Sequence, residues 1–324
     1  IALKMSFHFW RNRGTPGKDR YLSLQNGYHG ETVGALSVTD VALFKDAYAP
    51  LLRPSATVPS PDWRLAEAGE SAQDYAVRCA QALESCLEAS HPSIAAFIVE
   101  PLVQCAAGMA MHHPEYLRRA RALCDRYQVH LIADEIAVGC GRTGSFFAHE
   151  QAGIAPDFLC LSKGLSGGYL PLSVVLATDA VFDAFYDDDI SRGFLHSHSY
   201  TGNTLACRAA LATLAIFDED RVIEANERLA RAIAQACRRI QEHPRVRHFR
   251  QSGMIWAFDV DDAGPEFSRR FHTSALEQEL LLRPLGNTVY FMPPYVITPD
   301  EAELLASRTH ALLDRVDRRS APSS

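Results

Sequence analysis

Four short apolar runs, SIAAFIVE (93–100), QVHLIADE (128–135), DFLCLSK (157–163) and LSVVLAT (172–178), leave few folds open to this chain. Each has the length and composition of a buried strand. Between the first two lies HPEYLRRARALCDRY (113–127), with Pro114 suited to a first helical turn and Tyr116, Ala120, Leu123 and Tyr127 at helical spacing. Strand, helix and strand in that order predict a βαβ unit, hence an α/β fold with a mostly parallel central sheet flanked by helices. From about residue 204 a long helical pattern, TLACRAALATLAIFDEDRVIEANERLARAIAQACRRIQEH, leads into a mixed stretch with short strands near MIWAFDV and VYFMPPYVI. The pattern predicts a large domain over 1–219 and a smaller α+β domain over 220–324, with the polar tail DRRSAPSS frayed. The opening IALKMSFHFWRNRG puts Ile1, Met5 and Phe9 on one helical face, so the sequence reads as starting inside an amphipathic helix and as truncated at its N-terminus.

Ligands of parallel α/β sheets bind beyond the carboxyl ends of the strands. Three of the runs end there on a charge: Glu100 after AFIV, Asp134 after HLIA, and Lys163 after LCLS. Alone, a strand-end carboxylate reads as a cap for the next helix, and a strand-end lysine as a solvated side chain. Together they are two acids and a lysine converging on one crevice, the set that pyridoxal phosphate chemistry requires. The lysine amine condenses with the cofactor aldehyde, and a carboxylate keeps the pyridine nitrogen protonated so that the ring accepts electrons. Asp134 suits the second role through a charge-assisted hydrogen bond. Glycines around Lys163 would let the backbone pass close to the cofactor.

Two other motifs invite different chemistry. GCGRTG (139–144) fits the glycine pattern of dinucleotide-binding turns, but ADEIAV separates it from its strand and no long apolar-periodic helix follows. His196 and His198 in FLHSHSYTGN lack a nearby cluster of Asp, Glu or Cys, which favours a loop near the active site or an interface over a metal site.

Composition narrows the partners. A formal net charge of -7 with scattered basic residues excludes a nucleic-acid footprint and leaves small-molecule substrates. The eight cysteines form no CxxC pair and mostly sit in apolar segments, so they read as reduced core thiols of a cytoplasmic protein. No apolar run approaches the roughly 20 residues of a membrane span, and no signal peptide is visible.

Asp134 in LIADEIAVGCGRTG, Lys163 in LSKGLSGG, and the stretch SHSYTGNTLAC resemble the class III aminotransferases, of the fold type I pyridoxal 5'-phosphate-dependent superfamily. EPLVQCAAGMAMHHPEYLRRARALCDRY and LLRPLGNTVYFMPPYVIT are similar to the biotin-pathway branch of that class, whose substrates are S-adenosylmethionine and 8-amino-7-oxononanoate. The resemblance runs from NGYHGET to MPPYVIT. It implies that Lys163 is the catalytic, cofactor-bonded lysine and proton carrier, and that Asp134 pairs with the pyridine nitrogen. It implies that Tyr28 lies against the cofactor ring and contacts substrate, with Glu100 also in the cofactor site. Ser199 falls where the family usually has threonine, donating to the cofactor phosphate from the partner subunit of a homodimer; His198 stands beside it where some members have proline. Ser197, where they have glycine, joins Tyr28, Arg283 and Tyr290 as expected substrate contacts, Arg283 gripping the carboxylate of the amino-oxo acid. A Gly-Ser turn that binds the phosphate in the family would precede IALK. The alternatives are a class III enzyme acting on an ω-amino acid or diamine, and a catalytically silent fragment of such an enzyme.

Overall fold

In the computed structural model, which describes residues 1–53 and 55–316, the strands are β1 (Arg20–Leu24), β2 (Ala56–Val58), β3 (Ile94–Val99), β4 (Val103–Gln104), β5 (Ala110–Met111), β6 (His130–Asp134), β7 (Phe158–Leu161) and β8 (Val174–Ala177). Six form the main sheet in the order β2-β1-β3-β6-β7-β8, and β4 and β5 form a small antiparallel pair. The first five strands of that order run parallel. The tail DRRSAPSS lies outside the described residues.

β3 is buried along its whole length, and its side chains divide between two cores as the pleat requires. Phe97 and Val99 pack on one face with Leu83 and Leu87 of helix Ala72–Ser90 and Tyr116 and Leu117 of helix Glu115–Arg126. Ala96 and Ile98 pack on the other with Ile132, Phe158 and the helix Ala2–Asn12. That first helix buries Ala2, Ser6 and Phe9 rather than the expected stripe of Ile1, Met5 and Phe9; Ile1 is exposed and Met5 half-buried. The sheet beneath offers the carbonyl of Ala95 and the ring of His130 to the Ser6 hydroxyl, so a small polar residue faces inward.

Two further expectations change. LSVVLAT forms β8, but it pairs antiparallel to β7 at the sheet edge and is half-exposed, not buried. An edge strand has one side unpaired, and here Leu176 is left exposed. The long helical pattern after 204 is broken into Thr204–Glu219, Val222–Ala236 and the short turn Arg238–Gln241, because Arg221 takes a left-handed backbone (φ +45°) that redirects the chain.

Beyond it, β9 (Val246–Ser252), β10 (Ile255–Val260) and β11 (Thr288–Phe291) form an antiparallel sheet in the order β11-β10-β9. Trp256 and Phe258 of β10 pack with Ile233, Ala302 and Ala306 from the helices Val222–Ala236 and Pro299–Arg315, whereas Ile255 and Ala257 point into the core shared with Phe97. β10 therefore joins the second sheet to the first. The 139–144 loop reinforces this junction. A Cβ at Gly253 (φ +53°) would sit 2.3 Å from the Thr143 carbonyl carbon, so the turn between β9 and β10 requires glycine to dock there.

Candidate active site

Because β1, β3, β6 and β7 are parallel, their carboxyl ends share one edge. Val99 pairs with Ala133 and Asp134 with Cys160, so Glu100 and Asp134 leave neighbouring strands side by side, and Lys163 follows β7 by two residues. The turn after β1 brings Tyr28 and His29 to the same edge.

The closest contact there is between Asp134 Oδ2 and His29 Nδ1, 2.8 Å apart, both side chains being buried. The other oxygen, Oδ1, accepts from the Ile136 backbone N–H at 3.2 Å. Beside them Glu100 is buried and accepts from the backbone N–H groups of Tyr28 (3.0 Å) and Cys105 (3.2 Å). Tyr28 points its hydroxyl at Glu31, 3.0 Å away, and its ring toward Phe44.

Burial is the largest influence on Glu100 and pushes its pKa up to about 7, against the opposing pull of His29 and the two N–H groups. The consequence for stability has a definite sign. Between pH 4.5, where a free glutamate loses its proton, and pH 7, the folded chain holds a proton that the unfolded chain has released. The contribution of Glu100 to stability therefore falls as pH rises through that window, by about 3 kcal/mol, and the loss is complete above it, while buried His112 and His130, with pKa lowered to about 4, contribute in the opposite sense below pH 6.5. Glu100→Gln is expected to remove this fall, at a cost of about 1 kcal/mol at pH 5 because one N–H group loses its acceptor. The difference between the two proteins in urea unfolding from pH 5 to 8 checks it, because the buried histidines titrate in both. Burial lowers the pKa of His29, but the hydrogen bond and charge of Asp134 and the charge of Glu100 outweigh it and hold the imidazole above its ordinary value. Its contribution is complete below that ordinary value and is lost as pH rises beyond it.

Lys163 is exposed, makes no side-chain hydrogen bond or ion pair among the described residues, and opens the tight turn Lys163–Ser166 with φ +44°. A lysine rarely holds a left-handed backbone, and such strain concentrates at functional positions. The glycine after it has a different cause from the one expected: a Cβ on Gly164 would lie 2.9 Å from Cys140 Cβ, so Gly164 admits the loop that follows Asp134. That loop is fixed by Arg142, whose guanidinium lies 4.4 Å from the Tyr295 ring centre and donates to the Pro293 carbonyl at 2.8 Å.

The chain contains four lysines, Lys4, Lys18, Lys45 and Lys163. Lys4 pairs with His196, Lys18 is buried against the carbonyls of His91 and Ile94, and Lys45 ends the short helix Ala42–Lys45. Lys163 alone follows a central strand beside Asp134.

None of the other expected residues makes a hydrogen bond or ion pair with this cluster among the described residues. Ser197, His198 and Ser199 are on an exposed loop, where His198 N–H donates to Thr201 and its Nδ1 accepts from the Tyr200 N–H. Arg283 is exposed before β11 and has no hydrogen bond or ion pair among the described residues, while Tyr290, on β11, is half-buried against the first core. Among the described residues, no group of three or more His, Cys, Asp or Glu side chains could hold a metal ion. Sequence reasoning missed His29, whose only signal was its place next to Tyr28 after a strand.

Residues 1–313 match the aminotransferase class-III family. The chain is a class III aminotransferase. The adenosylmethionine-8-amino-7-oxononanoate aminotransferase of Helicobacter pylori is 46% identical to it, over 98% of this aminotransferase and 72% of that protein. Among solved structures, the enzyme of the same name from Methanocaldococcus jannaschii superposes with a TM-score of 0.89 at 31% identity, covering 98% of this chain and 72% of that one. An amine transaminase from an uncultivated Pseudomonas species, in its PLP-bound form, gives a TM-score of 0.89 at 32% identity, over 98% and 74% of the two chains. The class implies pyridoxal phosphate as cofactor, and the strand-edge residues suit it: an exposed primary amine, unpaired among the described residues, follows the strand next to the one that ends on a buried carboxylate held by a histidine. Among the described residues of this aminotransferase, no helix is long and apolar enough to cross a membrane.

Proposed function

We propose that this aminotransferase transfers the amino group of S-adenosylmethionine to the 7-oxo carbon of 8-amino-7-oxononanoate, forming 7,8-diaminononanoate in biotin biosynthesis, with pyridoxal 5'-phosphate as cofactor. The observation that carries the reading is the placing of Lys163 and Asp134 at the ends of adjacent strands in a chain so similar to enzymes of that name. When bound, the cofactor supplies an electron-accepting ring and a carbonyl that exchanges oxygen for nitrogen. Lys163 Nζ would hold it covalently, and the same amine would move the substrate Cα proton as general base and acid. Asp134 would supply the carboxylate that holds a proton on the ring nitrogen. Tyr28 would cover the ring, and Glu100 accepts from the Tyr28 and Cys105 backbone N–H groups and so fixes both segments.

Arg283 binds the substrate carboxylate, with Tyr290 near it and Ser197 completing the wall. Its lack of a partner among the described residues supports that role. For Arg283→Ala, KM for the amino-oxo acid is expected to rise about ten- to a hundredfold, the scale of a lost hydrogen bond to a charged group, while the half-reaction with the amine donor is little changed. Equal damage to both half-reactions would make Arg283 a structural residue.

Residues 1–219 and 220–324 form a large cofactor-binding domain and a small C-terminal domain, a division supported by their separate sheets and main cores. The active unit is a homodimer in which His198 and Ser199 reach the partner's cofactor phosphate. Exposed Tyr169, Tyr186, Ile190, Leu195, Tyr200 and Leu205, all within one stretch of chain, support an interface there. Eight free cysteines support a cytoplasmic location.

The test supplies 8-amino-7-oxononanoate and pyridoxal phosphate with either S-adenosylmethionine, ornithine or putrescine, and follows the product by mass spectrometry. Diaminononanoate formed with S-adenosylmethionine is the expected result. Turnover of ornithine or putrescine with indifference to S-adenosylmethionine would move the chain to the amine-transaminase reading.

A further inference from the structure

We infer that Arg250 is a positioning residue for the amino-oxo acid: with Asp259 it ties the turn after β4, beside Glu100, to the strand pair β10 and β11, and so holds the loop carrying Arg283 in register with the cofactor edge. The inference rests on the substrate role of Arg283 proposed above and adds a residue to it.

The turn 105–109 joins β4 to β5, and its first N–H, that of Cys105, is one of the two that Glu100 accepts. Its last three carbonyls accept from two arginines. Arg250, buried on β9, donates from Nη2 to the Gly108 carbonyl at 2.6 Å and from Nε to the Met109 carbonyl at 3.0 Å. Arg64 donates from Nη2 to the Ala107 carbonyl at 3.0 Å. Asp259, on β10, gathers both guanidinium groups: its Oδ1 accepts from Arg250 Nη2 at 3.0 Å and from Arg64 Nη1 at 3.3 Å. The same oxygen accepts from the Thr288 hydroxyl at 2.8 Å. Thr288 opens β11 and exchanges two backbone hydrogen bonds of 2.9 Å with Leu285, closing the turn that begins two residues after Arg283. A Cβ on Gly108 would lie 2.8 Å from Thr288 Oγ1, so the 105–109 turn reaches β11 only because that residue is glycine.

With Asp62 on Arg64, two guanidinium groups and two carboxylates are largely withdrawn from water. Well-packed apolar residues would avoid that desolvation, so bulk stability does not by itself account for the cluster. What it adds is register. Apolar faces can slide on one another, whereas a planar fork bonded to two carbonyls and a carboxylate fixes one arrangement.

The test uses the full chain with pyridoxal phosphate. Arg250→Lys keeps the charge but replaces the fork by a single point donor. KM for 8-amino-7-oxononanoate is expected to rise about tenfold with kcat lowered less than about threefold, the effect of a small displacement of a binding group. In an Arg283→Ala background the same substitution is expected to change KM by less than about twofold, because its effect passes through Arg283. An equal rise in both backgrounds, or a fall in kcat as large as the rise in KM, would overturn the inference and leave Arg250 a structural residue. Thr288→Val removes only the hydroxyl that bonds Asp259 and decides the matter if the lysine variant does not fold. About a threefold rise in KM is expected for it, and an unchanged KM would overturn the inference.

Hydrogen exchange followed by mass spectrometry needs neither substrate nor cofactor. In Arg250→Lys the peptides covering 105–109 and 285–288 are expected to lose protection together, and wild-type protection of 285–288 would overturn the inference. If Arg283→Ala alone leaves KM unchanged, the substrate role of Arg283 falls, and the exchange result still decides whether Arg250 joins the two segments.

Discussion

Lys163→Ala is expected to lower transamination turnover by about 10⁴-fold, the upper range for loss of a positioned acid-base group, compounded by loss of the covalent anchor. The fold is expected to survive. Lys163 is exposed and its ammonium bonds to nothing else among the described residues, so truncation removes little packing. Alanine at a backbone of φ +44° is no more strained than lysine. Circular dichroism and the thermal midpoint should therefore match wild type, while noncovalent cofactor binding persists at reduced affinity. Turnover within tenfold of wild type would assign the chemistry elsewhere.

Asp134→Ala is expected to act twice. It leaves the buried His29 ring without the acceptor of its Nδ1–H, which destabilises by about 1–3 kcal/mol, the cost of a buried polar group left unpaired. It also removes the carboxylate proposed for the ring nitrogen, so cofactor should be lost. Asp134→Asn separates the two effects. The amide oxygen still accepts from His29 Nδ1, and the expected result is a smaller stability loss with turnover lowered about 10²–10³-fold, the scale of losing one preorganised polar group. Urea unfolding and steady-state rates on both variants check it, and an Asn variant with wild-type turnover would remove Asp134 from the chemistry.

Much of this site is legible in sequence because strand ends are. Once AFIV, HLIA and LCLS read as parallel strands, Glu100, Asp134 and Lys163 must meet on one edge, and the registers Val99 to Ala133 and Asp134 to Cys160 bring that about. What stayed hidden depends on contacts between distant segments. His29 gains its meaning only from a ring placed 105 positions from Asp134. Gly164 is set by Cys140, and Gly253 by Thr143, neither of which any local pattern connects. LSVVLAT has the composition of a buried strand, but sheet order made it an antiparallel edge. Arg283 was singled out by its neighbours in sequence, and its exposure before β11 supports a role outward toward substrate.

The covalent partner of the cofactor can be read directly, since the chain offers only four lysines. Borohydride reduction of the protein loaded with pyridoxal phosphate, followed by proteolysis and mass mapping, fixes the link where it forms. Label confined to the peptide containing Lys163 is expected. Label on Lys4, Lys18 or Lys45 instead, or bound cofactor that borohydride attaches to no lysine, would contradict the assignment of this strand edge as the catalytic centre.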